Sequence, residues 1–370
     1  MADAVGNEGP VRPEGQGQAA RHWARIQALD AIQRARSQPA GTAEWVDRIL
    51  AGDRNALAQG ITLVESRREA DRRQAEALLD AVLTRDVARE AARRSARIGI
   101  TGIPGVGKST LIERLGLSLL GRGHRVAVLA IDPSSPQSGG SLLGDKTRME
   151  GLMQQEGAFI RPSPAADALG GVARATHEAL LLCEAAGYDR ILVETVGVGQ
   201  SETAVRHLTD IFLLLTLPGT GDELQGIKRG IMEMADVIFV NKADGDRARV
   251  AEEAAQSLRN VLHWMLPQAH GATVEVLTGS GLSGSGLDAL CAQLEALEQH
   301  LRGTGYWFAA RERDLLHLFD QHVRTLLLDT LLAGAPRRAV WEQLQNEIQQ
   351  GQICAFSAAR IFVQGVDSSG

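Results

Sequence analysis

One strand–loop–helix unit constrains the fold of this chain more than any other feature of its sequence. Residues 98–101 form a short apolar run, Gly102-Ile-Pro-Gly-Val-Gly-Lys-Ser109 follows it directly, and an apolar-periodic helix starts at Thr110. The spacing G-x-x-x-x-G-K-S predicts a phosphate-binding loop, because glycines allow a tight turn in which backbone N–H groups and a helix N-terminus converge on an anion. Lys108 would then reach the β- and γ-phosphates, and the Ser109 hydroxyl would ligate Mg²⁺. A glycine-rich turn before a capped helix is the alternative, and the flanking strand and helix favour the phosphate loop.

A second motif indicates which base the nucleotide carries. The apolar run 237–240 ends in Asn241-Lys242-Ala-Asp244, which is the N-K-x-D pattern. A carboxylate at Asp244 can accept from both the ring N–H and the exocyclic amine of guanine, whereas adenine presents a ring acceptor that would be left unpaired. Asn241 can tie this loop to the phosphate loop, and the stem of Lys242 can lie over the base. Alone, the pattern is a common polar loop; after a strand and downstream of a phosphate loop, it predicts GTP rather than ATP.

Composition limits the class of protein. The 370 residues allow one large or two ordinary domains, and 44% of them are apolar. The net charge of −6 gives no reason to expect nucleic acid or an anionic membrane surface as a partner. Cys183, Cys291 and Cys354 are far apart without a C-x-x-C motif, which favours unpaired thiols in a reducing compartment. No apolar run has the length of a membrane span and the N-terminus lacks an apolar h-region, so we expect a cytoplasmic protein.

Periodicity divides the chain into regions. Residues 1–18 are rich in Gly, Pro, Glu and Gln and are expected to be disordered. Residues 19–95 have helical periodicity, and the stripe headed by Trp23 is expected to be simple packing rather than a docking surface. Residues 96–300 alternate β-like runs with helical segments, which predicts a P-loop GTPase domain. Residues 303–370 are again helical and are expected to form a dimerisation region.

Seven apolar runs in the central region are candidate strands: residues 98–101, 126–131, 159–160, 191–194, 211–215, 237–240 and 274–277. The alternation predicts the α/β class, a P-loop NTPase with a mainly parallel sheet flanked by helices, together with helical N- and C-terminal extensions. Ligands of such a sheet bind at the carboxyl ends of the strands. The C-terminal helices carry more leucine between residues 315 and 332 than one helix can bury against one neighbour, so we expect a homodimer interface there.

Acidic residues at the strand ends predict a metal site. Asp132 ends the second candidate strand, and Asp145 lies in the charged loop that follows it. Glu194 ends the fourth, in Glu194-Thr-Val-Gly197, which looks like the D-x-x-G switch motif with Glu in place of Asp. Such carboxylates hold Mg²⁺ directly or through water, and the Gly197 N–H would sense the γ-phosphate. Each carboxylate alone could be an ordinary helix cap or a solvated charge in a loop. Their convergence near one phosphate loop favours a metal site instead.

Several longer strings resemble one family. They are Ala130-Ile-Asp-Pro-Ser-Ser135, Gly144-Asp-Lys-Thr-Arg-Met149, Arg161-Pro-Ser-Pro164, Leu169-Gly-Gly-Val-Ala-Arg174, Val193-Glu-Thr-Val-Gly-Val-Gly-Gln-Ser-Glu202 and Leu217-Pro-Gly-Thr-Gly-Asp-Glu-Leu-Gln-Gly-Ile-Lys228. They are similar to strings of the MeaB/ArgK/MMAA family of P-loop GTPases, and the similarity runs from about Trp45 into the C-terminal helices. The resemblance implies a homodimeric G-protein chaperone of an adenosylcobalamin-dependent acyl-CoA mutase. It would hydrolyse GTP slowly and gate both cofactor delivery and the removal of damaged cofactor, and the adenosylcobalamin itself would belong to the client mutase.

The resemblance also implies which residues form the site. The phosphates would be bound by Gly102, Ile103, Pro104, Gly105, Val106, Gly107, Lys108, Ser109 and Thr110. Guanine would be read by Asn241, Lys242 and Asp244, with a second loop of Ser280, Gly281 and Leu282. The Mg²⁺ neighbourhood would be Ser109, Asp132, Asp145 and Glu194, and the catalytic residues would be Lys108, Asp132, Glu194 and Gly197. Residues 222–229 match a third switch that relays nucleotide state to the mutase, for which a helix-capping polar loop is the alternative.

Two features depart from the family pattern. Arg161-Pro-Ser-Pro164 continues as Ala-Ala-Asp-Ala168, where the family usually has Ser-Ser-Gly-Thr, and the helix around Trp23 extends beyond the usual start. The identity of the client mutase therefore stays open between methylmalonyl-CoA mutase and relatives acting on isobutyryl-, 2-hydroxyisobutyryl- or ethylmalonyl-CoA.

Two other functional classes remain as alternatives to the chaperone. A small-molecule kinase does not suit a guanine-reading loop, and a nickel-insertion GTPase would usually carry a Cys/His cluster that this sequence does not show.

Overall fold

A single parallel sheet organises the chain. The computed structural model describes residues 41–66, 68–132, 149–164, 169–195, 202–218, 229–264, 268–332 and 334–367. The strands are β1 (Ala96–Gly102), β2 (Val126–Asp132), β3 (Ala158–Pro164), β4 (Arg190–Glu194), β5 (Ile211–Thr216), β6 (Val237–Val240) and β7 (Glu275–Thr278). They form one seven-stranded sheet in the order β3-β2-β4-β1-β5-β6-β7, and each neighbouring pair is parallel. The predicted α/β class is confirmed.

The strands are continuous apolar runs because helices cover both faces of the sheet. β1, β4, β5 and β6 are buried at every position, the pattern of a parallel sheet that is covered on both sides. All seven predicted runs are strands in the structure. The prediction for β3 was too short, because the strand continues through Pro162 and Pro164. Both prolines are accommodated since β3 pairs with β2 alone, and an edge strand can do without some N–H donors.

Helices precede, connect and follow the strands. They are α1 (Thr42–Leu50), α2 (Arg54–Val64), α3 (Glu69–Leu83), α4 (Asp86–Arg94), α5 (Lys108–Gly121), α6 (Glu150–Met153), α7 (Leu169–Ala185), α8 (Glu202–Arg206), α9 (Arg229–Met234), α10 (Arg247–Leu262), α11 (Leu287–Gly303), α12 (Tyr306–Leu332), α13 (Ala335–Gln349) and α14 (Ala355–Asp367). The helical character expected before residue 96 is found from α1 onward, whereas residues 1–40, including Trp23, lie outside the described residues.

The two largest apolar cores among the described residues lie on opposite faces of the sheet. On one face, helices α1 to α4 and α7 bury side chains such as Ile49, Leu57, Leu78 and Leu180 against β2, β4 and β5. On the other face, α5 and α11 bury a second set that includes Leu111 against β1, β2 and β5. Each core removes a large apolar area from water, which is the main favourable contribution to folding. The sheet is therefore held between two apolar layers, which fixes the positions of its strand ends.

The C-terminal helices present an apolar surface to solvent. On α12, the exposed fractions lie between 42% and 66% for Leu315, Leu316, Phe319, Leu326, Leu327 and Leu328. The expectation of an excess apolar face in this region agrees with these exposures. The described part of the chain contains no helix that is both long and apolar enough to span a membrane. The cysteines are unpaired, as the sequence predicts: Cys183 and Cys291 are buried and Cys354 is exposed.

Candidate nucleotide-binding site

The glycine-rich loop connects the end of β1 to the start of α5. Gly102 has φ +153°, and a Cβ there would stand 2.6 Å from the Leu215 carbonyl oxygen of β5. Gly107 caps α5 with φ +96°, and a Cβ there would stand 2.8 Å from Asn241 Nδ2. Neither space nor backbone conformation admits a larger residue at these positions. The loop is thus shaped by two glycines that the phosphate-loop motif requires.

The N-terminus of α5 is lined by the polar residues that the motif predicts. Lys108 and Ser109 are each only 8% exposed, in the first turn of the helix. Lys108 Nζ donates to the Gly102 carbonyl oxygen at 2.8 Å and to that of Ile103 at 3.4 Å, so the ammonium group lies over the loop. Pro104 and Gly105 are exposed. A positive helix end, a fixed ammonium group and an open loop favour a bound anion.

Ser109 and Glu194 form a pair of oxygen donors beside the loop. Glu194 is the last residue of β4 and lies in register with Ile100 of the neighbouring β1. The Ser109 hydroxyl donates to Glu194 Oε1 at 3.1 Å, and the carboxylate is 7% exposed. A hydroxyl and a carboxylate are hard oxygen ligands of the kind that Mg²⁺ prefers, so these two residues fit the metal that the fold implies.

The structure brings together only part of the predicted metal set. Asp132 ends β2 at the carboxyl edge of the sheet, in register with Pro164 of β3. The side chain of Asp132, together with all of Asp145 and Gly197, lies outside the described residues. Residues 222–228 of the predicted third switch, residues 222–229, lie outside them as well, as does the unusual string at residues 165–168. The roles of these residues therefore stay predictions.

Asn241 links the loops that follow β1, β6 and β7. It is 2% exposed, its Nδ2 donates to the Val106 carbonyl oxygen at 2.8 Å, and its Oδ1 accepts from the Gly281 N–H at 2.8 Å. Val106 belongs to the phosphate loop and Gly281 to the loop after β7. One buried amide thus satisfies groups on both loops, which fixes their relative positions.

Lys242 and Asp244 occupy the same turn. Lys242 has a positive φ of +61°, which a non-glycine residue adopts rarely. Its Nζ donates to the Gly105 carbonyl oxygen at 2.8 Å, so its aliphatic stem spans from the base loop to the phosphate loop. Asp244 is partly exposed, three residues beyond the buried Asn241.

The loop after β7 closes the other side of the candidate base site. Ser280 is fully buried, and its hydroxyl accepts from the N–H groups of Leu282 and Ser283, each at 3.2 Å. A Cβ on Gly281 would stand 3.0 Å from the Leu111 Cα of α5, so the loop lies tightly against the phosphate-binding helix. Leu282 is 71% exposed at the tip of the loop.

Two glycines that shape this loop were not among the predicted site residues. A Cβ on Gly279 would stand 2.4 Å from the Ser285 carbonyl oxygen, and one on Gly286 would stand 2.3 Å from that of Thr278. The run Gly279-Ser-Gly-Leu-Ser-Gly-Ser-Gly286 directly after an apolar strand carried the signal. Such density of glycine is typical of a loop in which backbone segments approach closely.

The fold and site define a class. A parallel sheet with a glycine-rich loop between β1 and α5 is the architecture of a P-loop nucleotide-binding protein. The N-K-x-D turn after β6, joined to that loop by Asn241, is typical of proteins that select guanine. The chain thus has the architecture of a P-loop protein of the guanine-nucleotide class.

Comparison with known proteins identifies the family to which the chain belongs. A family model described as methylmalonyl Co-A mutase-associated GTPase MeaB matches residues 57–335. The chain belongs to this family and is a GTPase. The predicted resemblance is confirmed.

The relatives agree with this placement. A protein of Caulobacter vibrioides described as a GTPase is 50% identical over 312 residues, covering 84% of this chain and 94% of the relative. The mitochondrial methylmalonic aciduria type A homolog of Caenorhabditis elegans is 40% identical over 323 residues, covering 85% of this chain and 80% of the relative. A crystal structure described as an LAO/AO transport system kinase superposes with a TM-score of 0.70 at 32% identity, covering 88% of this chain and 98% of that one.

Proposed function

We propose that the chain binds GTP with Mg²⁺ at the carboxyl edge of the sheet and uses slow hydrolysis to serve an adenosylcobalamin-dependent acyl-CoA mutase as a chaperone. The observation that carries the nucleotide assignment is the buried Asn241 side chain, which joins Val106 of the phosphate loop to Gly281 of the loop after β7. A ligand that contacts both loops gains from their being held in one arrangement. A nucleotide is such a ligand, because its phosphates and its base lie at opposite ends.

The phosphate end is assigned to the first turn of α5. The loop N–H groups from Gly102 to Thr110 and the Lys108 ammonium group would receive the β- and γ-phosphates. Ser109 and Glu194, already 3.1 Å apart, would hold Mg²⁺, with Asp132 and Asp145 completing its surroundings. Bound there, Mg²⁺ supplies charge neutralisation on the phosphate oxygens. The chain's own residues orient the γ-phosphate, with Gly197 N–H as its expected sensor.

The base end is assigned to the turn after β6. Asp244 would accept from the ring N–H and the exocyclic amine of guanine, and the Lys242 stem would cover one face of the ring. Ser280, Gly281 and Leu282 would bound the other side, with Leu282 able to lie against the base because it is exposed. Discrimination against adenine follows, since its ring acceptor would face the carboxylate without a donor between them.

The mutase partner is inferred from the family. The family is described as associated with methylmalonyl-CoA mutase, and the Caenorhabditis elegans relative is a methylmalonic aciduria type A homolog. The client is therefore methylmalonyl-CoA mutase or a relative such as 2-hydroxyisobutyryl-CoA mutase. Adenosylcobalamin would be the cofactor of the client, and GTP hydrolysis would gate its delivery and the removal of damaged cofactor.

A homodimer is proposed through the C-terminal helices. The exposed leucines and Phe319 of α12 form an apolar face that a monomer would leave in water, and large apolar patches mark interaction sites. In this proposal residues 19–95 are a helical extension, residues 96–300 the GTPase domain and residues 303–370 the dimerisation region. No nucleic acid or membrane partner is proposed.

Complex formation with purified mutases tests this function. The full chain is mixed with methylmalonyl-, isobutyryl-, 2-hydroxyisobutyryl- or ethylmalonyl-CoA mutase and passed over a size-exclusion column without nucleotide, with GDP, and with a non-hydrolysable GTP analogue. We expect one mutase to co-elute, and its retention to differ between GDP and the analogue. Lys108→Ala serves as the matched control, because it should lose the nucleotide dependence. Absence of a complex with every mutase in every nucleotide state would contradict the chaperone proposal.

A further inference from the structure

The end of strand β4 that carries Glu194 is tied to β1 by two buried threonines. Thr195 follows Glu194 directly, and Thr101 lies in β1 immediately before Gly102 of the phosphate loop. Both threonines are 0% exposed, and the Thr195 hydroxyl donates to Thr101 Oγ1 at 2.9 Å. The two hydroxyls thus link the strand that leads into the phosphate loop to the residue after the proposed metal ligand.

The backbone of Thr195 adds to this link. Its N–H donates to the Ile100 carbonyl oxygen of β1 at 3.0 Å, and the same carbonyl oxygen lies 3.4 Å from Thr195 Oγ1. Ile100 is also the residue with which Glu194 lies in register. The chain is therefore held against β1 immediately after Glu194, which sets where the Glu194 side chain starts.

The threonine pair acts from the side of the sheet that faces away from the phosphate-binding helix. Side chains alternate between the two faces along a strand. Ile100 belongs to the same apolar core as Leu111 of α5, so the neighbouring Thr101 points to the opposite face, away from Ser109. The Thr195 hydroxyl is bonded to Thr101 there. Neither hydroxyl is therefore placed to ligate a metal ion beside Ser109, and any effect of the pair on the metal acts through Glu194.

Packing alone does not account for two hydroxyls at this position. Valine has nearly the same shape as threonine, is equally suited to strands and carries no polar atom that must leave water. Replacing both partners of a buried hydrogen bond by apolar groups of the same shape is nearly neutral or stabilising, whereas replacing one partner leaves the other unpaired. Two valines would thus fill the space without loss of stability. What the hydroxyls add is a fixed distance and direction between the two strand ends.

Glu194 is a ligand for which such support matters. Its side chain has one more rotatable bond than the Asp that is usual in the D-x-x-G motif, so its carboxylate is less closely constrained by the backbone. It nevertheless lies 3.1 Å from the Ser109 hydroxyl and is 7% exposed. Holding the backbone at Thr195 restricts the positions that the carboxylate can reach.

We propose that the Thr101–Thr195 hydrogen bond positions Glu194 so that its carboxylate and the Ser109 hydroxyl can share Mg²⁺. Both threonines are positioning residues, because they contact neither the nucleotide nor the metal ion. The inference rests on the proposed nucleotide site. It assigns to the buried pair the role of orienting a metal ligand, a role that partners behind a metal site commonly have.

Nucleotide binding by the full chain separates positioning from packing. The affinity for a non-hydrolysable GTP analogue is measured by calorimetry in excess Mg²⁺ and in EDTA, and the ratio of the two affinities is the Mg²⁺ enhancement. In the double variant Thr101→Val/Thr195→Val, we expect this enhancement to fall by about tenfold or more, the loss common when a metal ligand is no longer oriented. Its affinity in EDTA should equal that of the wild type, and its urea midpoint should be equal or higher. Thr195→Ser, which keeps the hydroxyl, should retain most of the enhancement.

Thr209→Val is the matched control. The buried Thr209 hydroxyl donates to the Val205 carbonyl oxygen at 3.0 Å, just before β5 and at the opposite end of the strands from the nucleotide site, so this variant should keep the full enhancement. An undiminished enhancement in the double variant would overturn the inference. So would a loss accompanied by a lower urea midpoint and weaker binding in EDTA, because the pair would then be structural only. A wild type whose affinity does not depend on Mg²⁺ would instead overturn the proposed metal site, and the inference with it.

Discussion

The side-chain amide of Asn241 lies so close to Gly107 that a Cβ on Gly107 would stand 2.8 Å from Asn241 Nδ2. The same Nδ2 donates to the carbonyl oxygen of Val106, the residue before Gly107. The helix cap of the phosphate loop and the first residue of the base loop therefore occupy adjoining space. A substitution at Gly107 or at Asn241 should therefore change the position of the other residue.

Gly107→Ala should weaken GTP binding. The new methyl group would push Asn241 away, and alanine would be strained at φ +96°, a combined cost of about 1–3 kcal/mol at the site. Calorimetric titration with GTP would measure the change in affinity.

Gly123→Ala is the control that separates the effect of backbone strain from the effect of the contact with Asn241. Gly123 has a similar φ of +89° in the turn after α5, with no atom within 4 Å of an added Cβ. It should lower the melting temperature while leaving the GTP affinity unchanged. Equal GTP affinities for the Gly107 variant and the wild type would show that the Asn241–Gly107 contact does not shape the site.

Asp244→Asn should change base preference. Replacing the carboxylate by an amide leaves the guanine donors poorly paired and should weaken GTP binding by about 1–3 kcal/mol. Xanthosine triphosphate should bind better than before, because its exocyclic carbonyl oxygen, which replaces the amine of guanine, can accept from the new amide. Competition binding with both nucleotides measures this, with Asp246→Asn in the same turn as the control. An unchanged preference would exclude this turn as the base reader.

Lys108→Ala should abolish productive nucleotide binding while leaving the fold intact. The loop backbone and its glycines remain, but the phosphates lose their fixed counter-ion. Phosphate release and circular dichroism on the same preparation check both halves of this expectation. Hydrolysis at the wild-type rate would refute it.

Glu178→Gln should stabilise the protein at high pH. Burial raises the pKa of the Glu178 carboxyl to about 7, assisted by the nearby Glu76, while Arg174 and Arg72 act in the opposite direction. Because the folded-state pKa lies above the usual 4.5, the folded state disfavours the charged form, and the free energy of unfolding falls as the pH rises from about 4.5 to 7. Above pH 7 the variant should be more stable than the wild type, by up to about 3 kcal/mol.

Urea unfolding at pH 5.5 and pH 8.5 measures this difference. The advantage of the variant should be clearly larger at the higher pH. Glu342→Gln is the control, since Glu342 is exposed and pairs along α13 with Arg338 at 3.4 Å. A Glu178 variant that is less stable than the wild type at both pH values would show that the carboxylate is held in its charged form.

The sheet could be predicted from sequence because strands covered on both faces leave continuous apolar runs. The phosphate and base motifs could also be found, since each is a short string beside one strand. β3 was predicted too short because prolines usually interrupt strands, and only its position at the sheet edge explains why Pro162 and Pro164 fit.

The sequence predicted that Asn241 ties its loop to the phosphate loop and that Ser109 and Glu194 lie in one neighbourhood. The direct Ser109–Glu194 and Asn241–Gly281 hydrogen bonds could not be predicted, because they depend on the register of the sheet, which no local pattern encodes. Two buried ion pairs could not be predicted either. Arg97 donates to the buried Glu184 of α7 at 2.8 Å, and Arg311 donates to Asp210. In the sequence these are single charges in separate segments, and nothing local indicates that they pair.

The response of GTP hydrolysis to a mutase tests the central claim most directly. The residue after Gly197 is Val198, which cannot orient a water molecule, and Gln200 is displaced from the position of the usual glutamine. The isolated protein should therefore release phosphate slowly, at about 10⁻⁴ to 10⁻² s⁻¹ and without any acceptor substrate. Adding the client mutase should raise the steady-state rate, because the complex can supply the missing geometry. A fast isolated enzyme, or no response to methylmalonyl-CoA mutase and each of its relatives, would contradict the chaperone account.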